Sequence, residues 1–200
     1  MINPTVQLKT LRVGGHDRGE RSDEVGQPGL VSRWTGFARR RPWVSLAVLG
    51  ATTQAVGLFG VPFMVRAIDG WYKTIEKPSF NPPASIFGPV WTGLYATMAG
   101  SAWLVSRAKP TGPGQTAQQT RALTLFAGQL ALNAVWTPLF FGAKAPAAAL
   151  VDITALLAAV VATTGATYAV LPAAGALLVP YAGWVAFATV LNASVVMLNR

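Results

Sequence analysis

The chain has 200 residues, of which 52% are apolar and only 12% charged, against about 25% charged in an average soluble protein. With no cysteine and a single histidine, His16, it has no disulfide framework, thiol nucleophile or zinc–thiolate centre, and no imidazole beyond its polar amino-terminal stretch. Half of its 16 Lys and Arg residues precede residue 42 and most of the rest sit between apolar runs, so the net charge of +9 reads as topology-setting charge and no nucleic-acid partner is expected.

Residues 1–42 are polar, mixed in charge and without a sustained apolar period, which predicts a disordered basic arm ahead of a membrane domain over 43–200. Acids at Asp17, Glu20, Asp23 and Glu24 argue against a mitochondrial presequence. The first apolar run begins only at Trp43 and outlasts any signal-peptide core, so a cleaved signal is not expected either. Arg39-Arg40-Arg41 abuts that run as a cytoplasmic flank, with Trp34 and Trp43 near the headgroups.

Five apolar spans follow, at 43–65, 86–106, 120–141, 146–170 and 174–198, each as long as the roughly 20 residues needed to cross hydrocarbon. Backbone in lipid must bond internally, and barrel-like alternation is missing, so the predicted fold is all-α: a five-transmembrane-helix bundle. Lys109-Pro110-Thr111-Gly112-Pro113-Gly114, Gly142-Ala143-Lys144-Ala145-Pro146 and Leu171-Pro172-Ala173-Ala174-Gly175 mark the later turns. Counting Arg33, Arg39, Arg40, Arg41, Arg107, Lys109 and Arg121 against Arg66, Lys73, Lys77, Lys144 and Arg200 puts the amino terminus inside.

Between the first two spans lies a structured loop. Pro78, Pro82, Pro83 and Pro89 lack backbone donors, so residues 77–89 are not expected to form one regular helix. Directly afterwards Trp91, Tyr95, Met98 and Ala102 share one helical face; Gln129, Asn133 and Trp136 share another, and Trp184, Ala188, Leu191 and Val195 a third, with Asn192 beside it. The amides serve equally as interhelical hydrogen bonds, and Ala96/Gly100, Thr124/Gly128 and Ala127/Ala131 are small pairs that let helices approach. Asp152, the lone acid within a span, sits close enough to Pro146 to feel the positive end of its helix, with a proton relay as the rival role. Aromatic faces with a few fixed polar groups suit a flat, mostly apolar ligand in an internal pocket.

Three stretches resemble one family. They are Trp71-Tyr72-x4-Lys77-Pro78-Ser79-Phe80-x-Pro82-Pro83-x5-Pro89-Val90-Trp91-Thr92-x-Leu94-Tyr95-x2-Met98, then Gly128-Gln129-Leu130-Ala131-Leu132-Asn133-x2-Trp136-x-Pro138-x-Phe140-Phe141-Gly142, then Pro180-Tyr181-x2-Trp184-Val185-Ala186-Phe187-Ala188-Thr189-Val190-Leu191-Asn192. In this order they resemble the TspO/MBR family of tryptophan-rich sensory and translocator proteins over about residues 50–198.

The resemblance implies a dimeric five-helix bundle whose pocket is closed by the loop between its first two helices. It also implies porphyrin binding, with protoporphyrin IX or a related tetrapyrrole as ligand and no obligatory cofactor or metal. The ligand-binding candidates are Trp91, Tyr95, Asn133, Trp136, Trp184, Ala188 and Leu191. The lid candidates are Trp71, Tyr72, Lys77, Pro82, Pro83 and Phe87, with Lys73 or Lys77 reaching ring propionates. Trp91 and Trp184 are catalytic only if the protein degrades porphyrin in light.

Three positions depart from many relatives, which have tryptophan where this chain has Phe80, Ser85 and Ala148. The animal sterol motif after Leu191-Asn192 is replaced by Ala193-Ser194-Val195, so sterol recognition is not expected. The function this implies is an integral membrane sensor or regulator of porphyrin handling in a bacterial cell membrane. Light-dependent porphyrin degradation and transport of amphiphiles are the alternatives.

Overall fold

A computed structural model describes residues 29–200, and residues 1–28, most of the expected arm, lie outside them. Helix α1 spans Leu30–Arg40 and α2 Pro42–Ile68; a single turn, α3, spans Trp71–Thr74. Then come α4 at Ala84–Arg107, α5 at Gln115–Thr137 with a π-helical extension Pro138–Gly142, α6 at Pro146–Val170, α7 at Pro172–Ala176 and α8 at Val179–Leu198. The long helices pack as a closed ring in the order α2, α4, α8, α6, α5, back to α2. Four stretches are long and apolar enough to cross a membrane: Pro42–Ile68, Gln115–Gly142, Pro146–Val170 and Pro172–Leu198. Helix α4 is 24 residues long, but its glycines, hydroxyls, Tyr95 and two tryptophans make it less apolar than these four.

Prolines explain most helix boundaries. Pro42, Pro146 and Pro172 each open a helix, where their missing N–H would have no partner anyway. Pro138 cannot donate to Ala134, and the ladder widens by one residue there, with Ala143 N–H donating to the Pro138 carbonyl at 2.8 Å. The break expected at 171–175 is a short helix followed by a turn: Pro180 leaves the Ala176 carbonyl unclaimed just as α8 begins. As expected, residues 77–89 form no single regular helix, because the chain up to Pro83 is not helical. Helix α4 starts at Ala84, and Pro89 lies in its second turn, where only the Ser85 carbonyl goes without its helical donor.

The expected disorder before residue 42 is corrected for residues 30–40, which form α1. Alone, 11 residues would be a marginal helix. Here Thr35 and Ala38 are buried against the bundle, Trp34 Nε1–H donates to Ser106 Oγ at 2.8 Å, and the Arg39 guanidinium donates to the Ala108 carbonyl at 2.8 Å and to Gln119 Oε1 at 3.2 Å. Tertiary hydrogen bonds supply what the local sequence lacks. At the other end, the loop between α2 and α4 is tied to the carboxyl terminus. Glu76 N–H donates to Asn199 Oδ1, and Asn199 Nδ2–H returns a bond to the Glu76 carbonyl, both at 2.9 Å.

Candidate functional site

The centre of the ring is a hydrogen-bonded chain across three helices. Tyr95 on α4 donates through its hydroxyl to Asn133 Oδ1 on α5 at 2.7 Å. Asn133 Nδ2–H donates to the Tyr181 hydroxyl on α8 at 3.0 Å, and Tyr181 donates in turn to Gln129 Oε1 at 2.9 Å. All four side chains are buried, Tyr181 completely. Asn133 and Gln129 meet Tyr181 together because they stand four residues apart, one turn of α5. Gln129 Nε2 is enclosed and has no acceptor among the described residues, so the chain ends in an unused donor.

Backbone spacing makes room for this arrangement. A Cβ at Gly57 would stand 2.4 Å from Tyr95 Cε2, so only glycine lets α2 lie against that ring. Thr53, one turn earlier, donates to the Tyr95 carbonyl at 3.1 Å. Trp91 stacks on Tyr95 with ring centres 5.4 Å apart and meets Tyr181 edge-on at 6.3 Å. Trp91, Tyr95 and Asn133 are thus brought together as the sequence suggests.

The remaining candidates divide between two neighbouring groups. Trp184 on α8 is half-buried between Phe87 at 5.8 Å and Phe187 at 5.5 Å, and Phe80 of the loop meets Phe187 at 6.4 Å. Trp184 Nε1 is enclosed without an acceptor among the described residues. Ala188 borders the same core as Trp184, and Leu191 is buried one turn further along. Trp136 turns toward the other group: its ring stacks on Phe140 at 5.1 Å, and its Nε1–H donates to Asn192 Oδ1 at 3.1 Å. Asn192 also donates to the Pro146 carbonyl at 2.9 Å, which fixes the start of α6.

The lid candidates split in the same way. Trp71 and Tyr72 lie edge-on to Phe140, at 5.9 and 6.4 Å, and Tyr72 also meets Phe141. The Lys77 ammonium sits 4.7 Å from the Tyr72 ring centre and donates to the Ile75 carbonyl, while Lys73 pairs with Asp69 at 2.9 Å. Burial pushes the Tyr72 phenol up, partly offset by its hydrogen bond to Asn81. Phe87 belongs to the Trp184 side, while Pro83 is the exposed N-cap residue of α4 and Pro82 before it is half-buried. Phe80, Ser85 and Ala148 are all exposed.

Two cavities lie elsewhere: one of about 50 Å³ beside Lys109 and Gln119, and one of about 380 Å³ between α2 and the end of α5. Asp152 lies in the second turn of α6 with Oδ2 enclosed and unpartnered among the described residues. Tyr181, Asn192 and Asn199 were missed as site residues. Tyr181 carried a usable signal, three residues before Trp184 on one face. Gly57 carried none, because its role depends on which ring α2 meets.

These observations agree with sequence comparison. Residues 46–198 match the profile of the TspO/MBR family. The chain is 46% identical over 153 residues to the translocator protein of Homo sapiens, covering 76% of this chain and 88% of that one. It is 40% identical over 157 residues to the tryptophan-rich protein TspO of Chlorobaculum tepidum, covering 78% and 96%. It is 39% identical over 143 residues to the tryptophan-rich sensory protein of Cereibacter sphaeroides, covering 70% and 85%. The three tryptophan-bearing motifs, the ring of apolar helices and this extent of match make one case: the chain is a membrane protein of the TspO/MBR family.

Proposed function

We propose that this protein crosses the membrane five times, α4 included, and binds a porphyrin-type tetrapyrrole as a sensor or regulator of its handling. The observation that carries the reading is Trp184. Its half-buried ring stands between Phe87 of α4 and Phe187 of α8, and its enclosed N–H has no acceptor among the described residues. An unsatisfied enclosed donor costs about 1–3 kcal/mol, which a ligand acceptor would recover. A flat ring entering between Phe87 and Trp184 would move both and displace the loop side of the site. The Lys77 ammonium is near enough to the interface to meet a propionate once it leaves Tyr72.

The bundle residues offer no His or Cys, so strong axial haem ligation is not expected. Metal-free protoporphyrin IX should quench the tryptophan fluorescence with the same affinity as haem, and a large preference for haem sinks the proposal. Light-dependent ring breakdown is the second reading, resting on Trp91 and Trp184 as the indoles in contact with an excited ring. Illumination with protoporphyrin IX separates the two: unchanged loss of porphyrin absorbance in Trp91→Phe and Trp184→Phe removes any chemical role for these residues. Transport is the third reading, and vesicle flux of the ligand is its measurement.

We place the chain in a bacterial cell membrane as a homodimer with its amino-terminal side in the cytoplasm. The outward stripe of Thr124, Ala127, Gly128 and Ala131 on α5 supports the dimer, since small residues allow close helix approach. Gly128→Leu should shift the cross-linked species from dimer to monomer.

A further inference from the structure

We propose that the 380 Å³ cleft between the end of α2 and the π-helical end of α5 is a binding site for an acidic phospholipid, separate from the tryptophan site. The sequence itself opens this cleft. At Gly60 the two helices are in close contact, and a Cβ there would lie 2.9 Å from Thr137 Cβ. Immediately beyond, both helices are disturbed: Pro62 interrupts the hydrogen bonding of α2, and Pro138 converts α5 to π-helix. A second close approach comes at Gly142, where a Cβ would stand 2.7 Å from Phe63 Cδ1. The space left between these two contacts falls within the 300–1,000 Å³ typical of small-molecule sites.

The lining fits one chemistry. Phe63, Pro138 and Phe141 form apolar walls, and the only charged lining residues are Arg66 and Lys144, both cationic and exposed. The single ion pair among the described residues joins Lys73 to Asp69, which leaves Arg66 and Lys144 without a carboxylate. Both lie within two residues of the end of an apolar span, Pro42–Ile68 for Arg66 and Gln115–Gly142 for Lys144. Lys144 also holds left-handed backbone, φ 52°, which glycine or asparagine adopts more easily. A phosphate between two cations, with an acyl chain against Phe63 and Phe141, satisfies the whole lining at once.

The test is native mass spectrometry of the full chain released from nanodiscs of equal phosphatidylglycerol and phosphatidylcholine. Wild type should retain phosphatidylglycerol about fivefold over phosphatidylcholine, a preference of about 1 kcal/mol. The double variant Arg66→Gln/Lys144→Gln should lose that preference, and Lys73→Gln, outside the cleft, should keep it. Ala143→Phe retains both cations but fills the cleft, and should also lose it. Equal retention of the two lipids by wild type overturns the proposal, as does an undiminished preference in the double variant or in Ala143→Phe. An equal loss in Lys73→Gln also overturns it, by showing that general surface charge is responsible. Porphyrin titration of the same variants keeps the two sites distinct: the double variant should bind protoporphyrin IX as wild type does, whether or not the tryptophan site proves correct.

Discussion

At the end of the bundle where α1 lies, closure is by directed hydrogen bonds. Arg39, Trp34 and Gln119 reach backbone carbonyls and a serine hydroxyl left over at the end of α4, and Trp103 Nε1–H donates to the Pro42 carbonyl at 2.8 Å. At the opposite end, closure is by rings: Trp71 and Tyr72 from the loop rest on Phe140 and Phe141, with one amide, Asn199, pinning the loop backbone. Hydrogen bonds demand one geometry, whereas ring contacts of about 0.5–1.5 kcal/mol each tolerate sliding. The α1 end is therefore built as a fixed base, and the loop end as the more deformable one.

That contrast can be broken from either side. The largest effect expected is from Phe140→Ala, which removes the ring common to Trp71, Tyr72 and Trp136 and should cost about 3 kcal/mol in thermal unfolding, with the loop becoming protease-sensitive. Arg39→Ala should cost about 2 kcal/mol, because charged hydrogen bonds to Ala108 and Gln119 are lost, while porphyrin affinity stays unchanged. If Arg39→Ala weakens porphyrin binding as much as Phe140→Ala does, the two ends are not independent.

Tyr95→Phe tests the centre between them. It strands Asn133 Oδ1 and should destabilise by about 1–2 kcal/mol, visible as a lower unfolding midpoint in detergent. The smallest effect is expected of Asn199→Ala, about 1 kcal/mol or less, since Glu76 is exposed and water can replace both bonds. Its signature is faster cleavage in the loop with little change in overall unfolding.

Much of this was legible beforehand. Uncharged runs bounded by Pro, Gly and basic residues located α2, α4 and α6 closely and α5 and α8 more loosely, because bilayer thickness and the missing donor of proline act locally. The faces carrying Trp91 and Tyr95, and Gln129 and Asn133, followed from helical period alone. What could not be read was which faces meet. Trp136 shares a face with Asn133, yet it reaches Asn192 and Phe140, because where α8 and the π-helical end of α5 lie beside it is set by packing and not by helical period. Helix α1 was read as disorder because its own 11 residues do not sustain a helix; its partners lie about seventy residues further along the chain.

The sequence by itself determined the solvent this protein occupies, the approximate course of its long helices, and its family, since composition, span length and motif order are properties of the chain read along its length. Only the tertiary structure decided that Tyr181 closes the chain of hydroxyls and amides, that Gly57 must be glycine beside Tyr95, and that two proline-disturbed helix ends part around a cationic cleft. Each of these depends on the separation and rotation of helices distant in sequence, which packing sets and local preference does not.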